Sequence, residues 1–248
     1  MHRFFVNQEE LNTDGIVIAG KDYNHIRNVL RMKVGEEILV CDKGEREYLC
    51  EIIKYEDDNR TAEAKIIDIL QTARELPAKI TLFQGYPKGD KMETVVQKAV
   101  ELGAFQVVPV EMKRCVVKLD AKKADRKIQR LNAVALSAAK QSKRGKIPEV
   151  THVMSMEEAC RYARNMDYIL LPYENAIGMN DSKKVIVEAK GKQHIGIFIG
   201  PEGGFEPSEV EMIQKSGGKT ISLGHRILRT ETAGMTVLSL LMFLLEED

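Results

Sequence analysis

From Lys79 onward, short β-branched runs alternate with helix-length stretches, a pattern that few architectures accept. Residues 80–83, 106–110, 168–171 and 195–199 read as strands. Between them, Asp90 opens a helix with Glu93 at the reciprocal capping-box position and Gly103 at its end. A long helix spans 122–141, and Ser155 with Glu158 opens another. Such alternation predicts β-α-β units and a mainly parallel sheet. In the last quarter, strand 195–199 breaks into Gly200-Pro201-Glu202-Gly203-Gly204-Phe205. Pro207 then suits the first turn of a helix that stops near Gly217-Gly218, and residues 220–223 form the final strand. Two loops with unusual residue demands therefore lie at corresponding ends of two strands, the layout of a ligand pocket at the edge of a parallel sheet. The closing helix, 232–245, is apolar nearly all round and must be buried within its domain or against a second copy.

Residues 1–71 follow a different rule. Runs 37–41, 47–55 and 61–70 are strand-like, separated by turn material such as Asp42-Lys43-Gly44 and Asp57-Asp58-Asn59, with one short helix at 22–30. They predict a small β-barrel-like module. The pattern changes within Gln71-Thr72-Ala73-Arg74-Glu75-Leu76-Pro77, which divides the 248 residues into a domain at 1–71 and another at 72–248. Lys+Arg and Asp+Glu are both 37, yet residues 1–71 carry 10 basic and 15 acidic side chains while 113–146 carry 12 basic against only Asp120 and Asp125. The second segment is the candidate polyanion contact, although Lys122, Lys123, Arg126, Lys127 and Arg130 read equally as a solvated helix face. Cys41, Cys50, Cys115 and Cys160 form no C-x-x-C pair and have no neighbouring His, so reduced thiols and no metal are expected. The N-terminal residues hold no apolar signal region, and the longest apolar run, 237–245, is too short to span a bilayer. A soluble, cytoplasmic protein without a membrane partner is expected.

The glycine loop alone is ambiguous. Backbone amides beside a helix N-terminus hold an anion or an electronegative ligand atom, and glycines permit close approach. The same glycines also serve simply to turn the chain. The loop lacks the Lys-Ser/Thr ending of a P-loop and the three-glycine spacing of a dinucleotide fold, which argues against an unrelated phosphate-binding enzyme. The second loop, residues 223–234 (LGHRILRTETAG), sets two arginines, a carboxylate and two hydroxyls before the apolar helix. Thr230 or Glu231 would serve as the helix cap, which leaves the arginines unexplained. GPEGGF followed by SLGHRILRTETA strongly resembles the C-terminal signature of the RsmE family, SPOUT-class methyltransferases that act on ring nitrogen 3 of a uridine in small-subunit ribosomal RNA. His2-Arg3-Phe4-Phe5-Val6 and His25-Ile26-Arg27-Asn28-Val29-Leu30-Arg31 resemble that family's N-terminal RNA-binding module, of PUA-like type. Lys88-Gly89-Asp90-Lys91, Glu101-Leu102-Gly103 and Ala139-Lys140-Gln141-Ser142-Lys143-Arg144 match its middle motifs, so the similarity covers essentially the whole chain.

The resemblance implies an α/β fold with a SPOUT-type C-terminal trefoil knot on a mainly parallel sheet, preceded by a PUA-like β-barrel. It implies a homodimer whose interface helps build the site, and S-adenosylmethionine held between three loops. By motif match these are Leu171 and Pro172; Ile199, Gly200, Pro201, Glu202 and Gly203; and Ser222, Leu223, Gly224, Ile227, Leu228, Thr232 and Ala233. The implied partner is small-subunit ribosomal RNA, in an assembled or nearly assembled subunit. The alternative is a ribosome-assembly factor that binds RNA with the same fold but no turnover, and cofactor binding separates the two. Methylation at N3 requires loss of the N3 proton or stabilisation of the resulting anion. Arg229 is the expected electrostatic helper, since a guanidinium stays charged and donates to carbonyl oxygens. Glu202, Glu231 and Glu174 are candidate proton acceptors, with Glu231 placed beside Arg229 as the catalytic pair. The competing reading is that Glu231 only pairs with Arg229 or Arg226 to fix the loop. Arg3, Arg27, Arg31, Lys88, Lys143 and Arg144 are the expected RNA contacts, the last two from a loop, 140–146, with four positive charges and no acid.

Overall fold

The computed structural model describes residues 1–6, 10–11, 15–42, 46–71, 74–117, 120–176 and 178–246. Lys43 and Gly44 of the expected turn, and Thr72 and Ala73 of the expected boundary, lie outside the described residues. The chain forms two compact units, Met1–Glu75 with Lys143–Ile147, and Leu76–Ser142 with Pro148–Asp248. The division falls four residues past the expected one, and a short segment of the later sequence belongs to the first unit.

In the first unit, β1 (His2–Phe5), β2 (Gly15–Ala19), β3 (Glu37–Cys41), β4 (Arg46–Glu56) and β5 (Thr61–Gln71) form one sheet in the order β1-β3-β4-β5-β2. Only the β1–β3 pairing is parallel. Alternate residues point inward, so Ile38 and Val40, Cys50 and Ile52, and Ala62 and Ala64 share a core with Phe4, Ile16 and Ile18. The short helix α1 (Gly20–Asn24) runs on as a π-helical turn, His25–Val29, and adds Tyr23 and Ile26.

Two arginines expected to meet RNA are inside this unit. Arg3 pairs with Glu47, their side chains 4% and 3% exposed, and donates to the Arg144 carbonyl at 3.0 Å. Arg144 pairs with Glu75, whose Oε1 also accepts the Gly145 and Lys146 amides at 3.2 and 3.3 Å. Neither guanidinium is available to a phosphate. The run 140–146 contains no acid, but the fold supplies one from residue 75, which sequence proximity could not reveal. A charge buried without its partner is costly, so Arg3→Met should lower the unfolding free energy of the full chain by about 3–5 kcal/mol in urea titrations.

The second unit comprises β6 (Lys79–Gly85), α2 (Lys91–Glu101), β7 (Gln106–Glu111), α3 (Ala121–Gln141), β8 (Glu149–Val150), β9 (Met154–Ser155), α4 (Met156–Ala163), β10 (Tyr168–Pro172), α5 (Met179–Val187), β11 (His194–Ile199), α6 (Pro207–Lys215), β12 (Gly218–Ile221) and α7 (Thr230–Leu245). The strand order is β12-β10-β11-β6-β7-β8, with β9 also beside β7, and every pairing is parallel. From β6 the chain moves outward through β7 and β8, then returns to build the other half beyond β11. Neighbouring β6 and β11 thus mark the switch point where open α/β sheets bind ligands at their carboxyl ends. Phe83 and Phe198 stack across this pair with centroids 4.3 Å apart.

Local signals fared unevenly. Asp120 caps α3 through the Lys123 amide, and Ser155 and Glu158 form the expected reciprocal box on α4. Asp90 and Glu93 do not: Asp90 makes no side-chain cap, and Glu93 pairs with Arg130 at 2.7 Å. The last strand ends at Ile221, earlier than expected, and α7 starts two residues earlier, at Thr230. Helix α5 has Gly178 at its N-cap and no capping side chain, so it carried no start signal. Among the described residues no helix is long and apolar enough to cross a membrane.

Candidate active site at the carboxyl edge of the sheet

The glycine loop after β11 is anchored from the neighbouring strand. Gln84 of β6 lies opposite Ile199 in the parallel register and is fully buried. Its Nε2 donates to Thr230 Oγ1 at 2.8 Å, and that hydroxyl donates onward to the Gly200 carbonyl at 2.6 Å. One side chain thereby joins the sheet, the loop and the first turn of α7. Gly85 follows, where an added Cβ would lie 2.6 Å from the Pro201 ring. The loop itself closes by Gly204 donating to the Pro201 carbonyl at 2.9 Å, with Gly204 at φ +69°.

Cations hold this loop from two sides. Lys91, the first residue of α2, places Nζ 2.9 Å from Glu202 Oε1, which also accepts the Lys88 amide at 3.2 Å. The same ammonium is 3.9 Å from Glu231 Oε2. Opposite, Arg114 pairs with Glu206 at 2.7 Å and donates to the Gly203 carbonyl at 2.9 Å. Partial burial would raise the Glu202 carboxyl, but hydrogen bonds from Lys91 and from backbone amides outweigh it and hold it below the ordinary value. Burial therefore does not lift the Glu202 carboxyl as a proton-acceptor role would require, because Lys91 and the Lys88 amide both donate to it. Glu174 is exposed.

The second loop begins where β10 and β12 end side by side, with Pro172 opposite Ile221. The Tyr173 amide donates to the Ile221 carbonyl, and the Ser222 amide to Ser182 Oγ at 2.8 Å. Leu171, Pro172, Ser222 and Gly224 thus gather at one edge, while Ile199, Gly200, Pro201, Glu202 and Gly203 gather beside Gln84. Thr232 and Ala233 sit in the first turn of α7, and Leu223 and Leu228 are half-buried. Ile227 is not drawn in: the residue is 89% exposed.

Neither Thr230 nor Glu231 caps α7. Thr230 is spent on Gln84 and Gly200, and Glu231 faces Lys91. Arg226 and Arg229 are exposed, and among the described residues neither is ion-paired, so the reading in which Glu231 pairs with one of them does not hold. Two buried acceptors here lack a donor, Gln84 Oε1 and Glu231 Oε2. A native interior leaves few such atoms, and each is a point where a bound ligand would supply a donor.

Of the expected RNA contacts, Arg31, Lys88 and Lys143 are exposed. Arg27 is exposed too, with its guanidinium on Asp57 and 4.6 Å above the Tyr55 ring. On α3, Lys127 lies over Tyr86 and Arg130 on Glu93, so the basic helix spends part of its charge within its own unit. Sequence reasoning missed Gln84 and Arg114, and placed Lys91 only within a family motif, with no role of its own. A glutamine closing an apolar strand was the visible signal for the first.

A model of the RNA methyltransferase domain matches residues 74–242, and one of the RNA methyltransferase PUA domain matches 18–66. Ribosomal RNA small subunit methyltransferase E of Bacillus subtilis (strain 168) is 36% identical over 98% of this chain and 96% of its own length. The chain belongs to the ribosomal RNA small subunit methyltransferase E family. The methyltransferase E of Aquifex aeolicus (strain VF5) is 32% identical over 98% of this chain and 99% of its own. The crystal structure of the Neisseria gonorrhoeae methyltransferase E bound to S-adenosyl methionine superposes with a TM-score of 0.83 at 30% identity, covering 98% of both chains.

For this methyltransferase E relative, the geometry predicts two behaviours. Thr230→Val would leave one Gln84 Nε2 hydrogen without an acceptor, the other still going to the Gly85 carbonyl at 3.0 Å, and would take the hydroxyl donor from the Gly200 carbonyl, at a total cost of about 1–3 kcal/mol readable by thermal unfolding. The depressed Glu202 carboxyl gives stability that is whole above the ordinary value of about 4.3 and disappears as pH falls through the lower folded value. Glu202→Gln should therefore be less stable than wild type at pH ~7 and indistinguishable from it in strong acid, below the folded value.

Proposed function

We propose that the chain transfers a methyl group from S-adenosylmethionine to ring nitrogen 3 of a uridine in small-subunit ribosomal RNA, within an assembled or nearly assembled subunit in the cytoplasm. The observation that carries the mechanism is Glu231 Oε2, buried without a donor beside the glycine loop. The residues present fit the cofactor, whose amino and hydroxyl groups offer the donors that the buried Gln84 Oε1 lacks, while Glu231 Oε2 is left for the substrate. Leu171, Pro172, Ile199, Gly200, Pro201, Glu202, Gly203, Ser222, Leu223, Gly224, Leu228, Thr232 and Ala233 would hold it.

When bound, S-adenosylmethionine supplies a methyl already activated on sulfur, so the protein's work is mainly alignment. Uridine N3 is protonated at neutral pH, and Glu231 Oε2 accepts that proton. Negative charge then spreads to the flanking carbonyl oxygens, where the unpaired guanidinium of Arg229 donates. Arg27, Arg31, Lys88 and Lys143 meet phosphates, which makes RNA affinity fall with salt. The reading includes a trefoil knot near the C-terminus and a homodimer. The exposed Leu240 and Phe243 on α7, the latter 87% exposed, give a second copy an apolar face, and the exposed Ile227 adds to the apolar surface such a partner would cover.

Labelled cofactor incubated with small subunits from cells lacking the enzyme should leave N3-methyluridine in their RNA. Label in transfer RNA alone would overturn the substrate. Absent cofactor binding by calorimetry would favour an assembly factor. Arg229→Ala should lower kcat roughly 100-fold with cofactor affinity unchanged, and Glu231→Gln by about as much or more. Light scattering should show Phe243→Lys shifted toward monomer.

A further inference from the structure

We infer that Lys91 is a positioning residue for methyl transfer, one ammonium that keeps the glycine loop and the start of α7 in register. The inference rests on the methyltransferase reading above. Lys91 belongs to neither loop: it opens α2, a helix placed by packing against α7. From there its Nζ is shared unequally, at 2.9 Å from Glu202 Oε1 and 3.9 Å from Glu231 Oε2. All three side chains are largely shielded from water, between 18% and 29% exposed, so the charges act on one another with little screening.

The inequality matters. At 2.9 Å the contact with Glu202 is a charge-assisted hydrogen bond that ties the glycine loop to the β6–α2 turn. At 3.9 Å the contact with Glu231 is attraction without a hydrogen bond, so the carboxylate is drawn toward the glycine loop while Oε2 keeps its lone pairs uncommitted. Without the ammonium, two carboxylates would face a shared space as like charges, and both loops would relax away from it. Arg226 and Arg229 are exposed and do not take over this role. Arg114 cannot, because it grips the far side of the glycine loop through Gly203 and Glu206.

The test uses the full chain with Lys91→Met and Lys91→Arg. In the ligand-free protein, amide exchange at residues 202–204 should quicken about tenfold in Lys91→Met, the worth of one charge-assisted hydrogen bond. Cofactor affinity should weaken, and kcat should fall further, roughly 100-fold, since Glu231 is misaligned as well. Lys91→Arg should restore exchange protection and most of kcat, which a role in packing alone would not produce. Glu202→Gln should quicken the same amides from the other side of the contact, so the clamp is readable even if Lys91→Met folds poorly. Wild-type exchange and wild-type kcat in Lys91→Met would sink the inference and leave the methyltransferase reading intact. Failure of the wild-type chain to bind S-adenosylmethionine would sink that reading, while the exchange data would still judge the clamp.

Discussion

The buried amide of Gln84 governs the geometry of the whole carboxyl edge. A fully buried side chain of this kind must place its donors, and it places one on Thr230, 146 residues away in sequence. Thr230 can accept that bond and still donate to Gly200, so a two-bond chain fixes the glycine loop and the first turn of α7 on the central strand. Because β6 and β11 lie at the switch point of the sheet, the anchored loops open where a ligand can reach several strand ends together. Gly85, pressed against Pro201, adds the steric half of the same constraint.

Charge then decides what each group in that edge can do. Lys91 and Arg114 neutralise Glu202 and Glu206 at opposite sides of the glycine loop, which makes those carboxylates structural. Among the described residues, Glu231 retains a buried oxygen with no donor, and Arg229 retains a guanidinium without an ion pair. A site that must accept a proton and stabilise developing negative charge needs one group of each kind left unspent. The first unit uses its charges in the reverse way, burying Arg3 and Arg144 against Glu47 and Glu75 where partner removal, not solvent, sets the energy.

Legibility followed the range of the interaction involved. The strands 37–41 and 195–199 and the box at Ser155 were readable because pleat alternation and capping act within a few residues. The capping box at Asp90 failed because Glu93 found Arg130, 37 residues away, and a long-range ion pair replaced the local bond. The same reason removed Thr230 and Glu231 from capping α7. Strands β8 and β9, two residues each, are too short for any period to register.

The sequence by itself determined the class of the second unit, the two loops at one edge, the apolar last helix and, through its paired motifs, the family. These depend on local periodicity and on residue types that only a few backbones accept. The tertiary structure alone decided which polar groups are consumed and which are left over: Glu202 held by Lys91, Arg144 buried on Glu75, Glu231 with an oxygen to spare. Those outcomes are contests among partners scores of residues apart, and only the folded chain brings the contestants within hydrogen-bonding distance.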